Sequence, residues 1–166
     1  MPRARRDPKS KQFLVIVIGG AIIATVVGIS FVLMTQATND ENYIKSIQNM
    51  SDQSRAFTQT YENSINEWND GKISREEMLQ ITDNQLENVN GLLAKLRDIE
   101  PPEKFRLAHE LSILSLSHEL QSDRHMRNYI ETGNDDEYDR SVEFLQKAFD
   151  YETQAFEEFS RAGKNK

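Results

Sequence analysis

Residues 69–102 read NDGKISREEMLQITDNQLENVNGLLAKLRDIEPP, and they decide the fold. The run opens on a turn, Asn69-Asp70-Gly71-Lys72, in which Gly71 is a natural left-handed cap for the segment before it. Ser74 and Glu77 then form a capping box: serine oxygen and glutamate carboxylate each accept from a free amide of the first helical turn. Behind the box, Met78, Ile81, Gln85, Val89, Leu92, Leu96 and Ile99 recur at spacings of three or four, broadened by Leu86 and Leu93. This is the apolar stripe of an amphipathic helix. Pro101-Pro102 stops it, because the residue before a proline avoids helical backbone.

The same reading extends outward in both directions. Ile47, Met50, Ser54, Phe57, Tyr61, Ile65 and Trp68 predict a helix from about 40 to 69. Pro102 suits the first turn of a third helix that runs to Thr132 and stops at Gly133. Its expected core stripe is Leu107, Leu111, Leu114, His118, Ser122, His125 and Tyr129, with Ile113, Leu116 and Leu120 nearly opposite. Asn134-Asp135-Asp136-Glu137 places negative charge where a helix dipole favours it and opens a fourth helix. Tyr138, Val142, Leu145, Phe149, Ala155 and Phe159 supply the expected core face of that helix, widened by Phe156. Long helices with short connections predict an all-α, antiparallel, up-down-up-down four-helix bundle. The alternative is three long helices with a kink at the prolines.

Ahead of the bundle the chain changes character. Residues 13–34, FLVIVIGGAIIATVVGISFVLM, carry no charge, and as a helix they reach ~33 Å, enough for a hydrocarbon core of ~30 Å. Residues 1–12 carry Arg3, Arg5, Arg6, Lys9 and Lys11 against Asp7, a net +4, leaving −11 for residues 35–166. The positive-inside bias orients such a segment with its N-terminus in the cytoplasm. The expected organisation is a basic cytoplasmic tail (1–12), a single transmembrane helix (13–34) and an extracytoplasmic helical-bundle domain (35–166), an uncleaved signal anchor in the cell membrane. The apolar run exceeds the ~7–15 residues of a cleaved signal peptide. Gly20, Ala24 and Gly28 recur every fourth residue, a spacing that lets two membrane helices approach closely. They make a membrane protein partner, or self-association through this helix, the expected contact beside the lipid bilayer. Arg161, Lys164 and Lys166 are placed to meet lipid headgroups on the return of the fourth helix.

The motifs that carry chemistry are few. With no cysteine, the chain has no disulfide, thiolate metal site or thiol nucleophile. The net charge of −7 argues against nucleic acid as a partner. Residues 66–77, NEWNDGKISREE, resemble an EF-hand calcium loop in their second half, but Asn66 and Trp68 stand where the loop needs carboxylates. Gly71, Ser74 and Glu77 are each accounted for as helix caps. His109, His118 and His125 all fall on the third helix, and the residues three before them, Arg106, Ser115 and Ser122, make none of the Glu-x-x-His pairs of di-iron bundles. They read as polar seam residues rather than metal ligands. Asn49-Met50-Ser51 is a glycosylation sequon pointing away from the seam. No Ser/His/Asp elbow or phosphate-binding glycine loop occurs in the chain.

These features predict a non-catalytic accessory protein, without cofactor, whose bundle docks on or braces a membrane complex. The alternative is an extracytoplasmic ligand-binding sensor. In general shape the bundle resembles the four-helix sensory modules of bacterial and archaeal chemoreceptors, an architectural likeness carried by no motif. A chain that ends at Lys166 without a cytoplasmic signalling domain would need a partner membrane protein to transmit a signal.

Overall fold

The computed structural model describes residues 41–164, which form four antiparallel helices. The basic tail, residues 13–34 and the Gly20, Ala24 and Gly28 row lie outside the described residues. Among the described residues no helix is long and apolar enough to cross a membrane. Helix α1 spans Glu41–Asn69, α2 Arg75–Asp98, α3 Arg106–Thr132 and α4 Asp135–Lys164. The fold is therefore a four-helix bundle rather than three long helices.

The connections form as their chemistry requires. Gly71 has φ of 72° and closes the first turn, where the Lys72 ammonium reaches the Asp70 carboxylate at 2.8 Å. Ser74 caps α2 reciprocally: Glu77 N–H donates to Ser74 Oγ at 3.1 Å, and Ser74 N–H donates to Glu77 Oε2 at 2.7 Å. With Asp70 paired to a lysine and Glu77 committed to the cap, the EF-hand-like string is a helix–turn–helix junction. Pro102 does not enter α3 as its first residue. Its backbone is extended, at φ −58° and ψ 146°, and a 3-10 turn, Glu103–Phe105, intervenes before α3 begins. Gly133, at φ 69°, ends α3 with its N–H on the Tyr129 carbonyl, and Asn134 Oδ1 accepts from Asp136 N–H to start α4.

The tightest pair is α3 and α4, and the cause is a row of small residues. Ser141, Ala148, Ala155 and Ala162 recur every seven residues on α4 and are all buried. Small side chains let the two backbones come close enough for hydroxyls to reach across directly. Ser115 Oγ donates to the Ala148 carbonyl at 2.9 Å, and Ser122 Oγ donates to the Ser141 carbonyl at 2.9 Å. On the other side of the bundle α1 contacts α2, but no Cα of α1 lies within 8 Å of a Cα of α4. That seam is wider and is closed by side chains, with Ile47 and Phe159 in one apolar cluster.

The core is divided along the bundle axis. At the end where α1 begins, Tyr43, Ile44 and Ile47 pack with Leu96, Phe105, Ala108 and Phe159. The Phe105 ring lies 5.4 Å from Tyr43 and 5.8 Å from Phe159. At the far end Tyr61, Ile65, Met78, Met126, Ile130 and Tyr138 form a second cluster. The stretch between them holds only a small apolar group, Val89, Leu93 and Leu120.

The expected stripes of α1, α2 and α4 lie in or beside the core, whereas that of α3 needs correcting. Of that stripe Leu107 and Leu114 are exposed at 53% and 40%, while Ser122 is buried against α4; the buried residues of α3 also include Ala108, His109, Glu119, Leu120, Asp123, Met126 and Ile130. The α3–α4 contact rotates α3 so that its small residues, rather than its leucines, meet α4. That rotation turns two carboxylates inward and two leucines outward.

Candidate functional site

The middle of the bundle is where the core turns polar, and the rows that build it are regular. On α3, Ser112, Glu119 and Met126 are spaced by seven and continue the row of Phe105 in the 3-10 turn, as His109, Leu116, Asp123 and Ile130 are spaced by seven. On α4, Tyr138, Leu145, Glu152 and Phe159 follow the same rule. On α2, Gln85 stands between Met78 and Leu92. A seven-residue repeat keeps one side of a helix on its partners, so Glu119, Asp123, Glu152 and Gln85 occupy positions that apolar residues fill one turn-pair away. Glu119 and Asp123 are each only 7% exposed, and Gln85 is 4% exposed.

Beside these carboxylates lies a partly open cavity of about 100 Å³ to which all four helices contribute. Ile47, Met50, Leu92, Leu96, Leu116 and Phe159 give it apolar walls, and Ala148 and Ala155 form the α4 side. Its polar lining comprises Ser51 and Ser54 from α1, Ser112, Ser115 and Glu119 from α3, and Glu152 from α4. No basic side chain lines it. The Ser112 hydroxyl donates to the Ala108 carbonyl and the Ser115 hydroxyl to the Ala148 carbonyl, both at 2.9 Å. Both protons are thereby committed, and what these serines offer the cavity is lone pairs. With these two protons withdrawn, its polar surface becomes one mainly of acceptors once Glu119 and Glu152 ionise.

Glu119 is the most exceptional of these groups. Among the described residues it makes no hydrogen bond and no ion pair, although it is buried. Burial pushes its carboxyl up to about 7, helped by the negative charge of Glu62 on α1. Glu152 is pushed up to about 8 by burial and then by the charge of Glu119. Asp123 lies well above the usual carboxylate range, through burial and then Glu119, with a Gln85 hydrogen bond opposing the rise. Burial also raises Glu62. Buried Asp123 Oδ2, Glu62 Oε1 and the Arg55 Nε and Nη2 nitrogens have no hydrogen-bond partner. Arg55 makes its ionic contact with Asp52, at 3.5 Å, rather than with the interior carboxylates. A carboxylate buried without a cation favours its protonated form, so the interior of the bundle limits its charge by holding on to protons.

The residues singled out in the sequence fall elsewhere. His109 is buried, with Nδ1 3.2 Å from the Tyr43 hydroxyl, and its burial lowers the imidazole's basicity. His118 and His125 share a face of α3 and flank Phe144, with ring centroids 5.9 and 5.3 Å away. His118 Nδ1 meets the Leu114 carbonyl at 2.8 Å, and His125 Nδ1 meets Glu137 Oε2 at 2.8 Å. The three are separate seam residues. Among the described residues no three His, Asp or Glu side chains converge as a metal site. Asn49 is exposed on α1, its side-chain oxygen accepting from Gln53 Nε2. Arg161 is paired with Glu157 and Glu158, so its charge is met within α4.

Glu119, Asp123 and Glu152 were not singled out by apolar periodicity, because a search for apolar stripes passes over an acid. The signal that finds them is the seven-residue row: an acidic side chain at a position whose neighbours seven away are Met126, Ile130 or Phe159. No protein-family model, curated protein or solved structure matches this chain.

Proposed function

We propose that this chain is a non-catalytic ligand-binding helical module, held at the cell membrane by residues 13–34 with its bundle outside the cytoplasm. The observation that carries the binding reading is Glu119: a carboxyl of a buried residue, held by no hydrogen bond among the described residues, that opens on a cavity all four helices build, in one layer with the sealed and unsatisfied Asp123 Oδ2 and Glu62 Oε1. Native interiors rarely leave such a group unsatisfied, and those that do commonly serve a ligand or a reaction. Reaction chemistry has less support. The wall hydroxyls of Ser112 and Ser115 donate to backbone carbonyls instead of a general base, so neither is an activated nucleophile. The uncharged 22-residue run and the basic tail before it support the anchor.

The binding reading is tested by thermal shift of the full chain in lipid nanodiscs against a library of fragments small enough for the cavity. Fragments should raise the unfolding temperature of the wild type, and Ser54→Leu, which extends a side chain into the cavity from α1, should abolish the shift. A library with no stabilising member, or one whose hits survive Ser54→Leu unchanged, rules the reading out. Topology is checked separately by adding protease to intact cells: the bundle should be digested while the N-terminal tail is protected.

The exposed leucines favour a second reading, in which the module docks on a membrane protein. Leu107 and Leu114, seven residues apart on one face of α3, place two large apolar side chains in solvent. Mild-detergent extraction should yield a defined complex with the wild type and the bare chain with Leu107→Gln/Leu114→Gln. Recovery of a bare chain in both cases eliminates docking through this face.

A further inference from the structure

We infer that the cavity takes a small organic cation, a protonated alkylamine with a short apolar tail, with its ammonium on the Glu119 and Glu152 side and its hydrocarbon against Leu92, Leu96 and Phe159. The inference rests on the ligand-binding reading and names the chemistry of the ligand. Polarity is the first argument. Every polar side chain in the wall is a carboxyl group or a serine, and two of the four serine protons are already given to backbone carbonyls. Lone pairs thus predominate where the ligand's polar end must lie. An ammonium brings three donors and no acceptor, which complements this lining. An anion would meet two acidic side chains and no basic one.

Charge is the second argument. A cation between Glu119 and Glu152 supplies what the protein itself withholds, since Arg55 keeps to Asp52 and α2 contributes only neutral Gln85 to this layer. The acidic groups around Glu119 are Glu62 of α1, Glu152 of α4 and Asp123 of its own helix. Size is the third argument. At ~30 Å³ for each water, the ~100 Å³ cavity has room for about three waters, enough for the ammonium and first carbons of a short amine, the rest of whose tail lies at the open side. The apolar wall then distinguishes such an amine from a bare metal ion, which would gain nothing from Leu92 or Phe159.

The binding step has a proton balance. Where Glu119 or Glu152 is protonated before binding, its proton leaves to solvent as the ammonium takes its place, and no covalent bond changes in the ligand. An alkylammonium stays charged through pH 8, as a lysine does, so binding should strengthen from pH 6 to pH 8 and release protons over that range.

The test is isothermal titration of the full chain in zwitterionic nanodiscs, with empty nanodiscs subtracted, using n-pentylamine, 1-pentanol and pentanoate as matched probes. Pentylamine should bind one per chain at pH 7, at least tenfold more tightly than pentanol, with pentanoate showing no binding. Paired titrations in buffers of different ionisation enthalpy should report net proton release. Glu119→Gln, which keeps the shape and removes the charge, should weaken pentylamine at least tenfold and leave pentanol unchanged. Circular dichroism melting of the variant verifies that it folds. Equal binding of amine and alcohol with a silent Glu119→Gln overturns the cation assignment while leaving a ligand-binding cavity. Failure of all three probes overturns the assignment as well, and the fragment library then decides the broader reading by itself.

Discussion

The ends of the bundle and its middle are built on the same seven-residue rows yet obey different chemistry. At the far end, Met78 and Ile130 are at most 1% exposed and touch apolar neighbours. Midway along, the same rows carry Glu119, Asp123 and Gln85, which are 4–7% exposed, and Glu119 lines a cavity instead of filled space. Burial of apolar side chains at the ends stabilises the fold, at about 1.5–3 kcal/mol for each fully buried residue. In the middle, burial of ionisable groups opposes it. The bundle thus has two apolar ends that hold the helices in register and an interior layer that carries a stability cost, the usual pattern at a functional site.

The sharpest way to break the comparison is to truncate an end. Ile130→Ala removes a side chain that is 1% exposed and leaves a cavity among Tyr61, Met78 and Tyr138, so unfolding free energy should fall by about 2–5 kcal/mol. Chemical denaturation measures it. A loss below ~1 kcal/mol would falsify the claim that the far end is a close-packed clamp.

The middle should respond in the opposite sense, and with a pH signature. Glu119's folded carboxyl lies near 7, above its ordinary value of 4.5. Between those limits the unfolded chain ionises while the folded chain holds its proton, so the native state binds more protons and stability falls as pH rises. The penalty is absent below about pH 4.5, grows to about pH 7 and then levels off; Glu152 extends the fall to about pH 8. Glu119→Gln should flatten this profile and stabilise the bundle at pH 8 by an amount on the order of 3 kcal/mol. Melting curves from pH 5 to pH 8 decide it, and a variant whose pH profile parallels the wild type contradicts the burial argument.

A third comparison sets the tight α3–α4 seam against the wider α1–α4 seam. Ser141→Leu forces bulk between backbones that the Ser122–Ser141 hydrogen bond holds together, at a residue only 2% exposed and outside the cavity wall, and overpacking of this kind costs about 1–3 kcal/mol. Ser54→Leu, on the cavity side of α1, adds similar bulk where space exists, and should cost less. Equal losses from the two would mean that α4 is no more closely packed on one side than on the other.

Most of the architecture was legible in the sequence because turn chemistry is local. Gly71, the Ser74–Glu77 box, Gly133 and Asn134 mark the helix ends within a few residues, and the stripes of α1, α2 and α4 name the faces that pack. Helix α3 was legible in part: Ser122 is buried and His118 and His125 pack on Phe144, but Leu107 and Leu114 stand in solvent. Its orientation is set by what α4 offers, Ser141, Ala148, Ala155 and Ala162. The candidate site was hidden for a different reason. Acidic residues are ordinarily solvated, and the seven-residue rows that would have marked Glu119 and Asp123 as interior are masked by the leucines on the other face of α3.

The smallest predicted effect probes that point most directly. Leu114→Ser removes a large apolar side chain from α3, and by hydrophobicity alone it should rank with the core truncations. The side chain is 40% exposed, however, so much of its surface already meets water and little transfer energy is lost. Surface changes of this kind ordinarily stay within about 0.5 kcal/mol. Leu120→Ala, six residues on and on a face that is only 6% exposed, should cost about 2–5 kcal/mol in the same denaturation assay. The contrast tests the rotation of α3 independently of its carboxylates. If Leu114→Ser instead destabilises as much as Leu120→Ala, α3 is turned toward its leucines, and Glu119 and Asp123 face solvent rather than the cavity.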